Sequence, residues 1–135
     1  MLRIDGGCHC GFVTYEAEVD PERVEICHCA DCQTLSGSAF RTVVPVNTES
    51  FRLLSGQPKA YVKTAESGRK RIQAFCPECG TPIYSAAAGG ASEFLGIRVG
   101  TIRQRDQLPP KTQYWWRSAQ AWVTELGSMR QVEKE

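Results

Sequence analysis

The chain has 135 residues, with 16 Lys and Arg against 15 Asp and Glu, for a formal net charge of +1. That length suits one domain, and near-neutral charge excludes a broad polyphosphate-binding surface, because there is no cationic excess to displace counterions. A nucleic-acid partner is therefore not expected. No apolar run is long enough to span a membrane, and no apolar stretch of the signal-peptide kind follows the N-terminus. The expectation is a cytoplasmic protein with reduced thiols and no membrane partner.

In chain order the pattern is mostly strand. Phe12 to Val19 alternates, with Val13, Tyr15, Ala17 and Val19 on one face and Thr14, Glu16 and Glu18 on the other. Arg23–Cys27 is short and β-favouring. Ala30–Leu35 reads as a short helix that Gly37 ends. Ala39–Val46 is a further strand, in which Pro45 suggests an edge or a terminus. Phe51–Leu54 runs into the turn signal Ser55-Gly56. Ala60–Thr64 and Arg69–Phe75 flank Glu66-Ser67-Gly68 and read as a hairpin. Pro82–Ala86 and Phe94–Ile102 are strands on either side of a small-residue loop, Ala87–Ser92. After Pro109-Pro110 comes a tail strand, Thr112–Arg117, and Met129–Glu135 is a charged, fraying end. The expected fold class is mainly β, with residues 1–125 as one metal-binding domain and 126–135 as a charged tail.

The seven cysteines fall in three groups: Cys8/Cys10, Cys27/Cys29/Cys32 and Cys76/Cys79. An odd number in a reducing compartment argues for metal ligation over a disulfide set. Cys76-Pro77-Glu78-Cys79 can aim two sulfurs at one ion across a tight turn, and Gly80 permits the left-handed backbone that follows. Structural zinc takes four ligands, so two more come from elsewhere. The arithmetic favours Cys8, Cys10, Cys76 and Cys79 as a closed quartet. Cys27, Cys29 and Cys32 then remain as a three-ligand set with an open position, the arrangement of a catalytic zinc. Two alternatives stay open: zinc at the quartet alone, and a redox pair at Cys76/Cys79. His9 and His28 each lie between two cysteines. In extended backbone their imidazoles point away from the ion, as packing or supporting groups. His28 as a proton acceptor beside the open site is the sharper alternative.

The runs Gly-Gly-Cys-His-Cys-Gly-Phe-Val-Thr-Tyr-Glu, Cys-His-Cys-Ala-Asp-Cys-Gln-Thr-Leu-Ser-Gly-Ser-Ala-Phe and Phe-Cys-Pro-Glu-Cys-Gly-Thr-Pro-Ile-Tyr resemble the glutathione-dependent formaldehyde-activating enzyme and centromere protein V family. The resemblance spans Gly6 to Tyr84 and continues more weakly to about Trp122. It implies an Mss4-like fold of short antiparallel sheets organised around zinc. It implies two zinc ions, one structural at Cys8, Cys10, Cys76 and Cys79 and one catalytic at Cys27, Cys29 and Cys32. It also implies a carbon–sulfur lyase joining formaldehyde to the thiol of glutathione. A non-enzymatic, zinc-stabilised binding or chaperone-like module is the alternative. Gln113 stands where the family often has histidine, and Ala121 where it often has proline. Arg41, Arg69, Lys70, Arg71 and Arg98 are candidates to offset the thiolate charge or to pair with substrate carboxylates. Tyr114, Trp115, Trp116 and Trp122 invite ligand stacking or edge packing. Ser36-Gly37-Ser38 either orients a substrate or caps the helix.

Overall fold

The computed structural model describes residues 1–89 and 92–135. Positions 90 and 91 of the expected Ala87–Ser92 loop lie outside the described residues. Among the described residues, ten strands form two sheets: β1 (Leu2–Gly7), β2 (Thr14–Val19), β3 (Glu25–Cys27), β4 (Arg41–Asn47), β5 (Arg52–Ser55), β6 (Lys59–Thr64), β7 (Lys70–Phe75), β8 (Pro82–Ala87), β9 (Phe94–Arg98) and β10 (Thr112–Tyr114). The first sheet has the order β1-β2-β5, and the second β10-β3-β4-β9-β8-β7-β6. All pairs are antiparallel except β10 with β3. The mainly β class expected from the sequence is the observed one.

The core forms where the two sheets face each other. The alternation in β2 buries Tyr15, Ala17 and Val19 against Val44 and Val46 of β4 and Leu95 and Ile97 of β9. Tyr15 is fully buried, and its hydroxyl meets Thr101 Oγ1 at 2.6 Å. Its ring stacks on Phe51. Strand β1 has only Leu2 and Ile4 as apolar anchors and escapes sequence patterning; its ladder with β2 creates it. A Cβ at Gly6 would overlap the Thr101 carbonyl oxygen and crowd the Tyr15 ring, so this strand approaches its neighbours closely.

Three expectations change. Pro45 lies in an interior strand, opposite Gly96 of β9. It is accommodated because β3 reaches only as far as Val43, leaving no ladder beyond it on that flank. The strand expected to reach Ile102 stops at Arg98, where Val99–Thr101 turns as a 3-10 helix. The tail strand stops at Tyr114, because Trp115 adopts left-handed backbone (φ 57°) and Trp116–Ser118 turns again. A run of 3-10 turns, Ala121–Ser128, follows.

In the seven-stranded sheet the second face is polar. Residues opposite each other in an antiparallel pair share a face, as do residues two apart on one strand. Cys27 lies opposite Arg41, Val43 opposite Arg98, and Gln73 opposite Ser85. The helix α1 (Ala30–Ser36) approaches this face, tied to β6 by the Asp31–Lys63 ion pair at 2.9 Å.

Candidate metal centres and the adjoining cleft

Two turns build the first cysteine group. Cys8 N–H donates to Val13 O and Gly11 N–H to Cys8 O, while Cys76 N–H donates to Thr81 O and Gly80 N–H to Cys76 O. Gly80 takes the left-handed conformation (φ 80°) that the motif required. Each turn aims N–H groups at sulfur: Val13 N to Cys8 Sγ at 3.2 Å, and Glu78 N and Cys79 N to Cys76 Sγ at 3.3 and 3.5 Å. At Cys8, burial pushes the thiol up, but the Val13 N–H and the neighbouring Cys10 and Cys76 outweigh it and bring the thiol below its ordinary value. The Thr81 hydroxyl, 3.1 Å from Cys79 Sγ, is the main cause that brings the Cys79 thiol down to about 5. The four sulfurs lie within 4.8 Å of one another. Cys8 and Cys10 Sγ are 3.6 Å apart, and Cys10 and Cys76 Sγ 3.8 Å. Tetrahedral zinc with bonds of about 2.3 Å needs sulfurs about 3.8 Å apart, so the donor set fits that ion. Cys8 and Cys76 are buried, whereas Cys10 and Cys79 are exposed.

The second group spans the end of β3 and the start of α1. Cys27, Cys29 and Cys32 also hold their sulfurs within 4.8 Å of one another. Cys29 Sγ caps α1 by accepting Cys32 N–H at 3.3 Å. Cys27 is brought down to about 5, chiefly by the hydrogen bond from Cys32, with Arg41 adding attraction. Cys32 is raised by the same bond and by burial. Cys27 and Cys32 thus share a proton, as paired thiols of a ligand set do before a cation displaces it. Cys27 and Cys29 are only half-buried.

His28, within the motif, and Gln33, Gln113 and Gln120, outside it, hold this loop in place. His28 is fully buried, edge-on to Phe40 and Trp116 at centroid distances of 5.4 and 5.3 Å. Its Nε2 donates to Gln113 Oε1 at 2.8 Å. Gln33 Nε2 donates to the carbonyls of His28 and Ser118, and Gln33 Oε1 accepts from Gln120. Sequence reasoning missed Gln33. It also had no way to see that Gln113 would serve the cysteine loop. His9 is exposed, and its backbone N–H donates to Thr81 Oγ1. Trp116 packs on His28, and Trp115 lies under the Arg117 guanidinium at 4.8 Å. Ser36 and Gly37 close the helix: Gly37 N–H donates to Gln33 O, and Ser36 Oγ accepts Ser38 N–H.

A cleft of about 650 Å³ lies between the C-terminal end of α1, at Leu35 and Ser36, and the Gly80–Pro82 turn that follows Cys79; Cys27, Cys29 and Cys32 do not line it, and Arg41, opposite Cys27 in the ladder, does. Leu35, Phe40, Tyr61 and Phe75 give it apolar walls, and Arg41, Gln73 and Arg98 reach it from the polar sheet face. Of the five basic candidates, Arg41 and Arg98 line the cleft, and Arg71, outside it, lies within electrostatic reach of both. Arg69 and Lys70 stay exposed at the hairpin end. None of the aromatic tail residues Tyr114, Trp115, Trp116 and Trp122 lines the cleft.

A mainly β fold carrying two separate cysteine groups, each able to hold a thiophilic metal ion, defines the class of small protein to which this chain belongs. The family profile of the glutathione-dependent formaldehyde-activating enzyme matches residues 3–118. The chain belongs to that family. It is similar to an uncharacterized lyase of Schizosaccharomyces pombe, with 25% identity over 95 residues covering 70% of this chain. The match covers 66% of that relative's length, just under two thirds. A crystal structure of a Rhodobacter sphaeroides protein shares the fold, with a TM-score of 0.63 and 20% identity, covering 81% of this chain and 98% of the other. No helix among the described residues is long and apolar enough to cross a membrane.

Proposed function

We propose that this protein is a zinc-dependent carbon–sulfur lyase that joins a small thiol, of the glutathione kind, to a small carbonyl compound such as formaldehyde, or releases them. The observation that carries the proposal is the segregation of the cysteines into a quartet and a separate trio, the latter linked through Arg41, opposite Cys27, to a ligand-sized cleft. The family membership and the lyase relative support it. Cys8, Cys10, Cys76 and Cys79 would hold a structural zinc, and Cys27, Cys29 and Cys32 a second, catalytic one. Zinc at the trio would supply Lewis acidity and a docking point for thiolate sulfur.

The chain's own residues do the rest. Gln33, His28 and Gln113 fix the cysteine loop, which makes His28 a positioning residue: its full burial removes it from the substrate's side. Arg41, directly opposite Cys27 in the β3–β4 ladder, offsets accumulated thiolate charge. The reaction balances without a co-reactant. A carbon–sulfur bond forms, the carbonyl π bond opens, and the thiol proton ends on the new hydroxyl. Three thiolates over-neutralise a divalent cation, so the neighbouring arginines are needed to keep a fourth sulfur bound. Residues 1–125 act as the catalytic domain and 126–135 as a tail that the chemistry does not use. The reducing cytoplasm is the compartment in which seven free cysteines serve this role.

The test is metal analysis of protein purified without chelator, with the Cys29→Ala variant alongside and thiol–formaldehyde adduct formation followed by NMR. Wild type should carry two zinc ions and form the adduct. The variant should carry about one, stay folded and lose the activity. One zinc in both proteins would overturn the proposal in favour of a zinc-stabilised binding module.

A further inference from the structure

We infer that Arg41 and Arg98, one and two strands away from the strand that carries Cys27, form a recognition site for a carboxylate carried by the thiol substrate. The inference rests on the trio being the thiol's docking point. It adds which residues select the substrate, and by which group.

The placement follows from ladder register. Cys27 faces Arg41 across β3 and β4, and Val43, two residues on, faces Arg98 across β4 and β9. Both guanidinium groups therefore project from the face that carries Cys27. Their partners are neutral. Arg98 Nη2 donates to Gln73 Oε1 at 2.6 Å and its Nη1 to Ser85 Oγ at 3.4 Å, while Arg41 Nη1 reaches the same hydroxyl at 3.5 Å. Gln73 and Ser85 are buried. Arg41 Nε is buried without a hydrogen-bond partner.

The charge is out of balance. The four ion pairs among the described residues engage neither Arg41, Arg71 nor Arg98. Glu25, on the same face of β3, feels Arg41 but is not in those pairs. Three thiolates around a divalent cation leave one negative charge, which three arginines more than offset. Burial, with repulsion from Arg41 and Arg71 and against the attraction of Cys32 and Cys27, brings the Arg98 guanidinium down to about 9, still cationic at neutral pH. Partly buried guanidinium groups without a carboxylate are costly to keep. A structure that fixes two of them with a glutamine and a serine, at the wall of a cleft of about 650 Å³, is arranged to receive an anion. A planar carboxylate matches the guanidinium fork. The apolar walls suit the uncharged stem joining that carboxylate to the thiol.

Calorimetric titration of the zinc-loaded protein with S-methylglutathione tests this without depending on turnover, because the methylated sulfur reports on the rest of the molecule. The acid should bind at least about 10-fold more tightly than its diethyl ester. Arg98→Gln and Arg41→Gln should each weaken the acid by about 10-fold and leave the ester unchanged, and Arg98→Lys should fall between. Arg41→Gln is the safer fold, since its contact to Ser85 is long, and thermal melts identify any variant that unfolds. Equal binding of acid and ester by wild type, or unchanged acid binding in folded Arg41→Gln and Arg98→Gln, would overturn the inference. Zinc counts on the same samples separate the two proposals. Two ions without acid preference sink only the carboxylate site, and one ion with acid preference sinks only the lyase.

Discussion

Replacing Cys79 by alanine should loosen the whole fold, although the residue is exposed and carries no core packing. A buried ligand such as Cys76 would confuse lost ligation with a cavity; Cys79 does not. On the proposed assignment, its loss would leave three sulfurs for the zinc, and a mild chelator would then strip the ion, removing the link between the N-terminal turn and the β7–β8 turn. Cys10 and Cys76 stand 66 positions apart. The chain entropy of closing a loop of that length is worth about 4 kcal/mol. An unfolding entropy of about 2.1 cal/mol/K per residue converts this into a fall in Tm of about 15 °C. Cys29→Ala is the internal control, because the trio closes only the short segment from Cys27 to Cys32, worth about 2 kcal/mol by the same relation. Differential scanning calorimetry in chelator that wild type withstands reads both. A Cys79→Ala shift below about 3 °C, or a Cys29→Ala shift as large as that of Cys79→Ala, would refute the assignment of the quartet as the clamp.

Three further outcomes follow from the packing. Gly6→Ala should cost about 3 kcal/mol or more in urea unfolding, since the new methyl meets the backbone oxygen of Thr101, which cannot move aside; a loss under about 0.5 kcal/mol would show that β1 is not held there. Gln113→Leu should destabilise by about 1–3 kcal/mol by leaving His28 Nε2 buried and unpaired, and unchanged stability would remove its role in fixing the cysteine loop. Burial raises the Tyr15 phenol above its ordinary value, opposed by its Thr101 hydrogen bond. The native state therefore keeps a proton that the unfolded chain releases, so this contribution is full below about pH 10 and is lost as pH rises beyond it, at up to about 1.4 kcal/mol per pH unit. Tyr15→Phe should flatten the alkaline fall in stability, and an unchanged slope would contradict the sign.

Much of the site could be read along the chain. Ligand spacing is local: two sulfurs separated by one or two residues reach one ion whatever fold surrounds them. The quartet and trio could thus be separated by ligand arithmetic, and both groups assemble accordingly. Strand alternation from Val13 to Val19 foretold the buried face of β2 for the same local reason. Pro45 misled because a proline reports only its own missing N–H. It says nothing of how far the neighbouring strand extends.

What the sequence determined by itself is the grouping of its cysteines and the β character of its segments, because both depend largely on neighbours a few residues apart. Tertiary structure alone decided which of five basic residues matter. Arg41 and Arg98 are brought to the trio by strand register, and Arg69 and Lys70 are left at a hairpin end. It also decided that Gln33, Gln73, Ser85 and Gln113 hold the site together. Register and the crossing of distant strands are collective outcomes of core burial, and no single segment encodes them.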